Sequence, residues 1–453
     1  MTLGTSSAPR PRAGRRCGFV PPYLLRRLGR EQTLSLDAGF RAARPGPASA
    51  PPPLAARATP AWTVHDAGAT TTLPGRPVRR AGEGATGDPA VDEAATGIAA
   101  SLALFADVYH RDSYDDAGAP VSLTVHYGRD YANAFWDGTQ LVFGDGDGEV
   151  FGRFTAAVDV LAHELAHAVT ERSAGLVYQG QSGALNESVS DVFAACLAQR
   201  LLGQSPQEAD WLIGADIFLP GVAARGLRDM RAPGTAYDDP RLGTDPQPGH
   251  LDDYVETSED NGGVHLNSGI PNRAFQLAAV AVGGSSAEGA GAIWYAALTG
   301  GRVGPRTDFA GFAAATVAAA GVHADAVGAA WEEVGVTPRA GGGRAGEDGA
   351  VGRGADPGRR LTVRRTGGFA GLRAEADLDL DADDDPRAAE ARSLLERVDL
   401  AAAAARAAES GGADRFVYDV DVAGTHVRVP EQALGADLAR LVEVVLRPPQ
   451  DPA

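Results

Sequence analysis

Residues 163–167 read His-Glu-Leu-Ala-His, and residues 186–191 read Asn-Glu-Ser-Val-Ser-Asp. On an α-helix, positions i and i+4 share one face, so His163 and His167 present their imidazoles to a common point. A second helix that carries Glu187 can add a third ligand and leave a fourth position for water. Three protein ligands and a water are the arrangement of a catalytic zinc site rather than a structural one. The pattern therefore predicts two helices that meet at one zinc ion per chain.

Two neighbouring carboxylates strengthen this interpretation. Glu164 lies about 100° round the helix from His163, within reach of a metal-bound water. Asp191 stands four residues after Glu187 and can accept an N–H from a ligand histidine, which fixes the tautomer and strengthens the ligand. The alternative is a polar helix face without metal, since five-residue motifs also recur by chance. Apolar residues around the motif, which would bury the histidines, favour the metal site.

Composition excludes several classes of function. The 453 residues carry 41 basic and 59 acidic side chains, and this net charge of −18 argues against nucleic-acid binding. The two cysteines, Cys17 and Cys196, cannot form a disulfide framework. The sequence has no apolar run of ~18 residues for a membrane span and no apolar core of ~7–15 residues for a signal peptide. We therefore expect a monomer without membrane or nucleic-acid partners, cytoplasmic or exported without a classical signal peptide.

Composition also divides the chain into five segments. They are a tail and short leader (1–58), a segment of strand-like alternation (59–158), a mostly helical segment with a polar loop around 232–259 (159–338), a Gly-rich linker (339–359) and a C-terminal module of strands and helices (360–449). We expect an α+β fold in which a β-rich lobe meets a helical lobe near Asp159, with substrate bound in the cleft between them. The acidic alternation at 377–381 suggests either calcium or, more simply, a solvated edge strand.

A second stretch, residues 260–269, offers the remaining parts of a hydrolytic site. A site that activates water also needs a hydrogen-bond donor for the oxyanion that forms when water attacks a carbonyl. His265 is such a donor, and Asp260 is placed to orient it. The plain alternative is a histidine in a polar loop. Tyr178 and Arg228 are further candidates that spacing alone does not select.

Motifs spread over residues 60–336 resemble the thermolysin-like zinc metalloendopeptidases. They include Thr70-Thr-Thr-Leu-Pro-Gly, Asn133-Ala-Phe-Trp-Asp-Gly, Gly183-Ala-Leu-Asn-Glu-Ser-Val-Ser-Asp, Asn261-Gly-Gly-Val-His-Leu-Asn-Ser-Gly-Ile and the histidine motif itself. The resemblance implies a thermolysin-like two-lobe fold and peptide-bond hydrolysis, with zinc on His163, His167 and Glu187 and with Glu164 as general base. It also implies that His265, oriented by Asp260, and Tyr178 stabilise the oxyanion, while Arg228 contacts the substrate carbonyl on the leaving side.

The same resemblance implies substrate subsites. Asn133 and Ala134 match the edge strand that hydrogen-bonds the substrate backbone, and the specificity pocket matches Phe151, Phe154, Val160 and Leu227. An apolar pocket predicts cleavage before hydrophobic residues, through burial worth roughly 1.5–3 kcal/mol per large side chain. These pocket residues would equally serve as plain core. Of four acidic positions in the family's calcium site, Asp159 and Asp210 match, but Ala198 and Ala215 do not, so calcium binding is doubtful.

The two ends of the chain resemble regulatory segments. Residues 17–25, Cys-Gly-Phe-Val-Pro-Pro-Tyr-Leu-Leu, resemble the short propeptide of protealysin-like members and imply a zymogen. Cys17 is either a thiolate that binds the zinc or, more simply, a small packing residue. The module from Leu361 onward is similar to emfourin, an inhibitor of protealysin-like enzymes, which implies restraint of the peptidase by its own chain. The alternatives are a module that acts in trans or docks substrates, and a non-catalytic zinc-binding scaffold. The implied partners are therefore protein or peptide substrates, the propeptide and this module.

Overall fold

The computed structural model describes residues 18–43, 61–339, 360–367, 374–380, 385–395, 397–398, 416–422, 425–431 and 434–447. The chain divides into two compact units, Met1–Gly346 and Glu347–Ala453. Cys17 and most of the predicted linker lie outside the described residues. Among the residues that are described, no helix is long and apolar enough to cross a membrane.

The first lobe is built on a five-stranded sheet of order β2-β1-β3-β5-β4. Its strands are β1 (Trp62–Asp66), β2 (Arg76–Arg80), β3 (Val121–Val125), β4 (Ala134–Trp136) and β5 (Leu141–Phe143). β1 pairs antiparallel with β2 and parallel with β3, β3 and β5 are parallel, and β4 pairs antiparallel with β5. β4 is an edge strand of this sheet, so one side of its backbone is available to another peptide.

A helix that the sequence analysis did not predict, α3 (Pro89–Tyr109), packs against this sheet. It begins after Asp88, whose side chain accepts hydrogen bonds from the N–H groups of Ala90 and Val91, and Pro89 occupies the first turn. The lobe is therefore a mixed sheet with a long helix rather than a lobe of strands and turns.

The second lobe holds seven helices of the described chain. They are α4 (Val158–Arg172), α5 (Gly180–Leu202), α6 (Asp260–Asn267), α7 (Gly269–Val282), α8 (Ala290–Thr299), α9 (Phe309–Ala319) and α10 (Ala324–Glu333). The polar loop expected around 232–259 in fact begins at 203. It contains two short antiparallel strand pairs, β6 (Leu212–Ile213) with β7 (Arg228–Asp229) and β8 (Asp238–Asp239) with β9 (Gly243–Thr244). Buried carboxylates hold this long connection, since Asp229 and Asp245 each accept several backbone N–H groups. The predicted α+β two-lobe fold is confirmed.

Two leader helices, α1 (Pro22–Arg27) and α2 (Glu31–Ala43), pack against this unit. Phe19, Val20, Leu24 and Leu25 are almost completely buried and belong to the same hydrophobic core as both lobes. The leader is therefore part of the folded unit, not an appendage beside it.

The second unit has a core of its own. Its antiparallel sheet has the order β11-β10-β12-β13, formed by β10 (Arg360–Gly367), β11 (Ala374–Asp379), β12 (Phe416–Val422) and β13 (Thr425–Pro430). Two helices, α11 (Pro386–Leu395) and α12 (Ala436–Leu446), contribute Leu394, Leu438, Leu441 and Val445 to a core shared with the strands. This unit therefore buries its own apolar face.

His126, which follows β3, is expected to stabilise the first lobe in a pH-dependent way. Its ring lies 2.8 Å from Asp145 and 3.0 Å from Asp88. The hydrogen bond with Asp145 raises the pKa of His126 from 6.5 to about 9, although burial opposes the shift. A raised folded-state pKa means that the bridge stabilises fully below pH 6.5 and is lost as the pH rises through about 9.

We therefore expect His126→Gln to lower the free energy of unfolding by about 1 kcal/mol near pH 6, since both carboxylates are partly solvated, and by little near pH 10. Urea denaturation at the two pH values measures the difference, with His323→Gln as the control. Equal losses at both pH values would contradict the charged bridge.

Candidate metal centre and active site

α4 and α5 bring the three predicted ligands together. His163 and His167 lie one turn apart on α4, and Glu187 faces them from α5; all three are buried. The Nε2 atoms of the two histidines are 3.0 Å apart, and each lies 3.5 Å from a carboxylate oxygen of Glu187. The three ligand atoms all lie within 4.8 Å of one another, close enough to hold one ion.

The hydrogen bonds at Nδ1 of the two imidazoles indicate that these residues fit a metal. His163 Nδ1 lies 2.8 Å from Asp191 Oδ1, and His167 Nδ1 lies 2.8 Å from Asn186 Oδ1. Both Nδ1 atoms are thus donors, and the two Nε2 atoms face each other beside a carboxylate. Burial also lowers the pKa of His167 to about 4, so its ring is neutral. Two imidazoles and one carboxylate that converge on one point are a donor set that suits zinc.

Glu164 is fully buried next to this centre. Neither of its carboxylate oxygens makes a hydrogen bond of good geometry within the described part of the chain. Burial raises the pKa of Glu164 well above its ordinary value, the negative charge of Glu187 adds to the shift, and the backbone N–H of Trp136 opposes it. A carboxyl with a raised pKa can accept a proton from water and release it again, as a general base and proton shuttle must.

His265 approaches the centre from a tight turn at the start of α6. Four consecutive residues, 260–263, have positive φ angles between 48° and 82°, and two of them are glycines that adopt this conformation without strain. The turn lets Asp260 bond both the backbone N–H (3.0 Å) and the ring Nδ1 (2.7 Å) of His265. Nε2 of His265 therefore points to the centre, where it lies 3.3 Å from the hydroxyl of Tyr178.

The charge of His265 follows from its neighbours. Burial lowers the pKa of His265, but the carboxylates of Asp260 and Glu187 outweigh this effect and raise it to about 9. The Tyr178 hydroxyl donates to Glu187 on the same side of the centre. A protonated imidazole and a phenol side by side can stabilise negative charge on a carbonyl oxygen.

Arg228, on β7, has a second role that the sequence analysis missed. Its guanidinium donates twice, over 2.8 Å each, to the carboxylate of Asp191, the group that orients His163. Burial raises the pKa of Asp191, but Arg228 and His163 outweigh it and hold that pKa far below its usual range. Arg228 thus fixes the metal ligand through Asp191 besides reaching the cleft.

Two further positioning residues were not predicted. Asn186 accepts from His167, and Asn272 on α7 donates to Asp191 over 2.8 Å. Asn186 directly precedes Glu187, so its position in the sequence could have identified it as a partner of the metal ligands. Asn272 lies 81 residues from Asp191, and no local pattern points to it.

The leader occupies the predicted substrate-binding residues. Phe19 N–H donates to the carbonyl of Ala134 over 2.9 Å, and Val20 N–H donates to Asn133 Oδ1 over 2.8 Å. The Phe19 carbonyl accepts from Arg228 over 3.2 Å, and the Gly18 carbonyl accepts from His265 Nε2 over 3.0 Å. The segment Gly18–Val20 of this chain thus lies beside the metal centre.

The Phe19 side chain is buried beside the ligands. Its ring meets the ring of His163 edge-on, with 5.1 Å between centroids, and the Arg228 guanidinium lies 4.6 Å from its centroid. Gly214 forms part of the wall, because a Cβ there would lie 2.9 Å from the ring and 3.2 Å from Leu227. Gly214 was not among the predicted pocket residues, since glycine carries no apolar signal.

Of the four predicted pocket residues, Leu227 is tied to this ring through Gly214, which contacts both. Phe151, Phe154 and Val160 are buried in the large hydrophobic core that also contains Phe19 and spans both lobes. The ring of Phe151 packs in a tilted orientation against Phe154, with 5.9 Å between centroids, and against Phe218, with 5.3 Å, contacts that also serve the core.

The two carboxylates matched to a calcium site are used differently here. Asp159 accepts the N–H of Gly214 over 2.6 Å, and burial raises its pKa to about 6. Asp210 caps the N–H of Leu212 at the surface over 3.1 Å. Asp159 therefore joins α4 to the wall of the Phe19 pocket.

Three comparisons place this geometry among known proteins. Residues 62–171 match the family described as thermolysin metallopeptidase, catalytic domain, residues 174–336 match its alpha-helical domain, and residues 363–446 match emfourin. An extracellular metalloprotease of Pectobacterium carotovorum subsp. carotovorum is 48% identical over 341 residues, which cover 71% of this chain and 97% of that protein.

A thermolysin of Alicyclobacillus acidocaldarius subsp. acidocaldarius is 43% identical over 237 residues, 51% of this chain and 40% of that protein's length. Among solved structures, the precursor of protealysin, a metalloproteinase from Serratia proteamaculans, is similar with a TM-score of 0.64 and 46% identity. That match covers 71% of this chain and all of the other.

Proposed function

This chain belongs to the thermolysin family of zinc metalloendopeptidases, and on that premise we propose that it cleaves before hydrophobic residues and is made as a zymogen. The observation that carries the proposal is the position of the segment Gly18–Val20. This segment makes backbone hydrogen bonds to Ala134, Asn133 and Arg228 and puts an aromatic ring into a pocket beside the metal ligands.

We assign the chemistry to the residues around the centre. A zinc ion held by His163, His167 and Glu187 would polarise the substrate carbonyl and make a coordinated water more acidic. Glu164 takes the proton of the attacking water and delivers it to the leaving amine. His265 and Tyr178 donate to the carbonyl oxygen as it becomes negative, and the bond from Asp260 keeps the His265 donor aimed.

Specificity for the residue after the cleaved bond follows from the Phe19 pocket. Burial of a large apolar side chain is worth roughly 1.5–3 kcal/mol. We expect kcat/KM to be about 10–150 times higher for peptides with Phe or Leu at this position than for the same peptides with Gly. Mass-spectrometric rates on one peptide series, varied only there, measure this ratio. Equal rates across the series would show that the Phe19 pocket does not determine specificity.

The zymogen proposal is supported by how the leader is held. Arg30 pairs with Asp147 (2.9 Å) and Glu149 (2.6 Å), and Arg26 pairs with Glu259 (2.6 Å). Asp147 is buried and also accepts three backbone N–H groups, so its pairing with Arg30 is well positioned.

The leader also holds the substrate-binding residues directly. Asp37 on α2 accepts from Asn133 over 3.1 Å and from Tyr131 over 2.6 Å. While the leader is bound, no substrate can reach Asn133 or Ala134. The leader must therefore leave before the enzyme acts on other proteins.

The C-terminal module is proposed to restrain the peptidase from within the chain. Its match to emfourin supports this, and covalent linkage in one chain gives a local concentration near millimolar, at which even a weak inhibitor occupies its site. The alternatives are action in trans and docking of substrates.

A chain that ends near Thr337 is expected to be at least about tenfold more active than the full-length protein once the leader has been removed from both. Initial rates on casein at equal active-site concentration measure the difference. Equal rates would contradict restraint in cis and favour the other two roles.

A non-catalytic zinc scaffold is the second candidate. Its sequence signature would be the loss of Glu164 or His265, and both are present. For location, the Pectobacterium relative is named an extracellular metalloprotease, which supports export over a cytoplasmic role.

A further inference from the structure

The leader lies in the cleft in a defined register. The Gly18 carbonyl accepts from His265, the donor assigned to the oxyanion. The next two groups along the backbone are Phe19 N–H and Phe19 C=O. The first bonds Ala134, assigned to the substrate backbone, and the second bonds Arg228, assigned to the carbonyl on the leaving side. The peptide bond between Gly18 and Phe19 therefore lies where a cleaved bond must lie.

We propose that Gly18–Phe19 is a bond that this enzyme hydrolyses in its own chain. This inference rests on the proposed peptidase function and identifies the Gly18–Phe19 bond as the first bond that the enzyme hydrolyses. The oxygen of a water adds to the carbonyl carbon of Gly18 while Glu164 takes one proton. The C–N bond then breaks, and the proton passes from Glu164 to the nitrogen of Phe19. The products are a Gly18 carboxylate and a free amine on Phe19, so the reaction consumes one water and no other reactant.

Glycine at position 18 is required for this seating. A Cβ on Gly18 would lie 2.3 Å from Nδ2 of Asn133. Asn133 cannot swing away freely, because its amide bonds Val20 on one side and Asp37 on the other. A side chain at position 18 would displace the carbonyl from His265.

Hydrolysis of this bond does not by itself clear the cleft. The part that begins with Phe19 keeps its bonds to Ala134 and Arg228, and Leu24 and Leu25 remain buried in the core. The Arg30 pairs with Asp147 and Glu149 also lie on this part. Loss of residues 1–18 should therefore precede the appearance of activity on added proteins.

The full-length protein, purified with a chelator and then supplied with zinc, tests the proposal by intact mass and labelling of new amino termini. We expect loss of residues 1–18 with a new terminus at Phe19, at a rate independent of protein concentration because the bond is already seated. Glu164→Gln should remain uncut. Gly18→Ala should cut this bond more slowly by on the order of 10²-fold, whereas Gly84→Ala, whose Cβ meets open space, should match the parent.

A second measurement does not depend on turnover. In the Glu164→Gln protein, the amide hydrogens of Phe19 and Val20 should be protected from exchange with solvent, and Gly18→Ala should remove that protection. A first new terminus elsewhere, a rate proportional to concentration or unprotected amides would overturn the proposal. If the processed enzyme hydrolyses casein while Gly18–Phe19 stays intact, only this inference fails. If neither is hydrolysed, the proposed function fails with it.

Discussion

Replacing Glu164 with glutamine is expected to lower kcat on casein or a peptide by roughly 10²–10⁴-fold once the leader has been removed from both variant and parent by an added protease, the usual contribution of a general base. Glutamine keeps the shape of the side chain but cannot take a proton from water. The zinc ligands His163, His167 and Glu187 are unchanged, so zinc content by elemental analysis should stay near one per chain. The thermal midpoint should not fall, because the substitution removes a buried carboxyl that lacks a well-formed hydrogen bond.

Glu332→Gln, an exposed change on α10, is the matched control and should keep parental kcat and zinc content. If the Glu164→Gln protein kept parental kcat and full zinc content, Glu164 would not be the general base. Loss of both kcat and zinc would point instead to a structural role for this carboxylate.

The metal centre could be predicted from sequence because its geometry is local. Two histidines four residues apart share a helix face whatever the rest of the fold, and Glu187 and Asp191 share a face in the same way. The α+β class also followed, since alternating strands precede long helical periods. Zinc and membership of the family are likewise confirmed.

The missed elements have weak local signals. α3 is rich in Ala, and only its cap at Asp88-Pro89 marks its start, so the surrounding strands dominated the interpretation of that segment. The connection from 203 to 259 is held by the side chains of Asp229 and Asp245, which replace regular secondary structure as partners of the backbone.

Long-range partners could not be predicted at all. The hydrogen bonds of Arg228 and Asn272 to Asp191 join residues that are 37 and 81 positions apart. The Phe19 ring packs against Gly214 because glycine has no Cβ. The resemblance to the family predicted that Arg228 contacts substrate. Its hydrogen bonds to Asp191, the carboxylate that orients His163, are visible only in the folded chain.

Replacing Phe19 with alanine is expected to raise the activity of the unprocessed chain by about 10²–10³-fold. Truncating a fully buried aromatic ring costs roughly 3–5 kcal/mol, and here that loss falls on the docked leader rather than on the peptidase lobes. The contact between Arg228 and the ring is lost as well. The leader remains tethered, so the equilibrium shifts from docked to undocked by that factor, up to the activity of the mature enzyme.

Initial rates on a small peptide, with intact mass recorded in parallel, measure this before any processing. Gln32→Ala, an exposed change on α2, is the matched control and should leave the unprocessed chain at its low parental rate. Alanine at position 19 also leaves the pocket nearly empty, so cleavage at Gly18 should slow while activity on the added peptide rises. Opposite changes in the rate of cleavage at Gly18 and in the activity on the added peptide distinguish undocking from faster processing, because faster processing would raise both. A Phe19→Ala chain that stays as inactive as the parent would show that Leu24, Leu25 and the arginine pairs hold the leader in place without the ring.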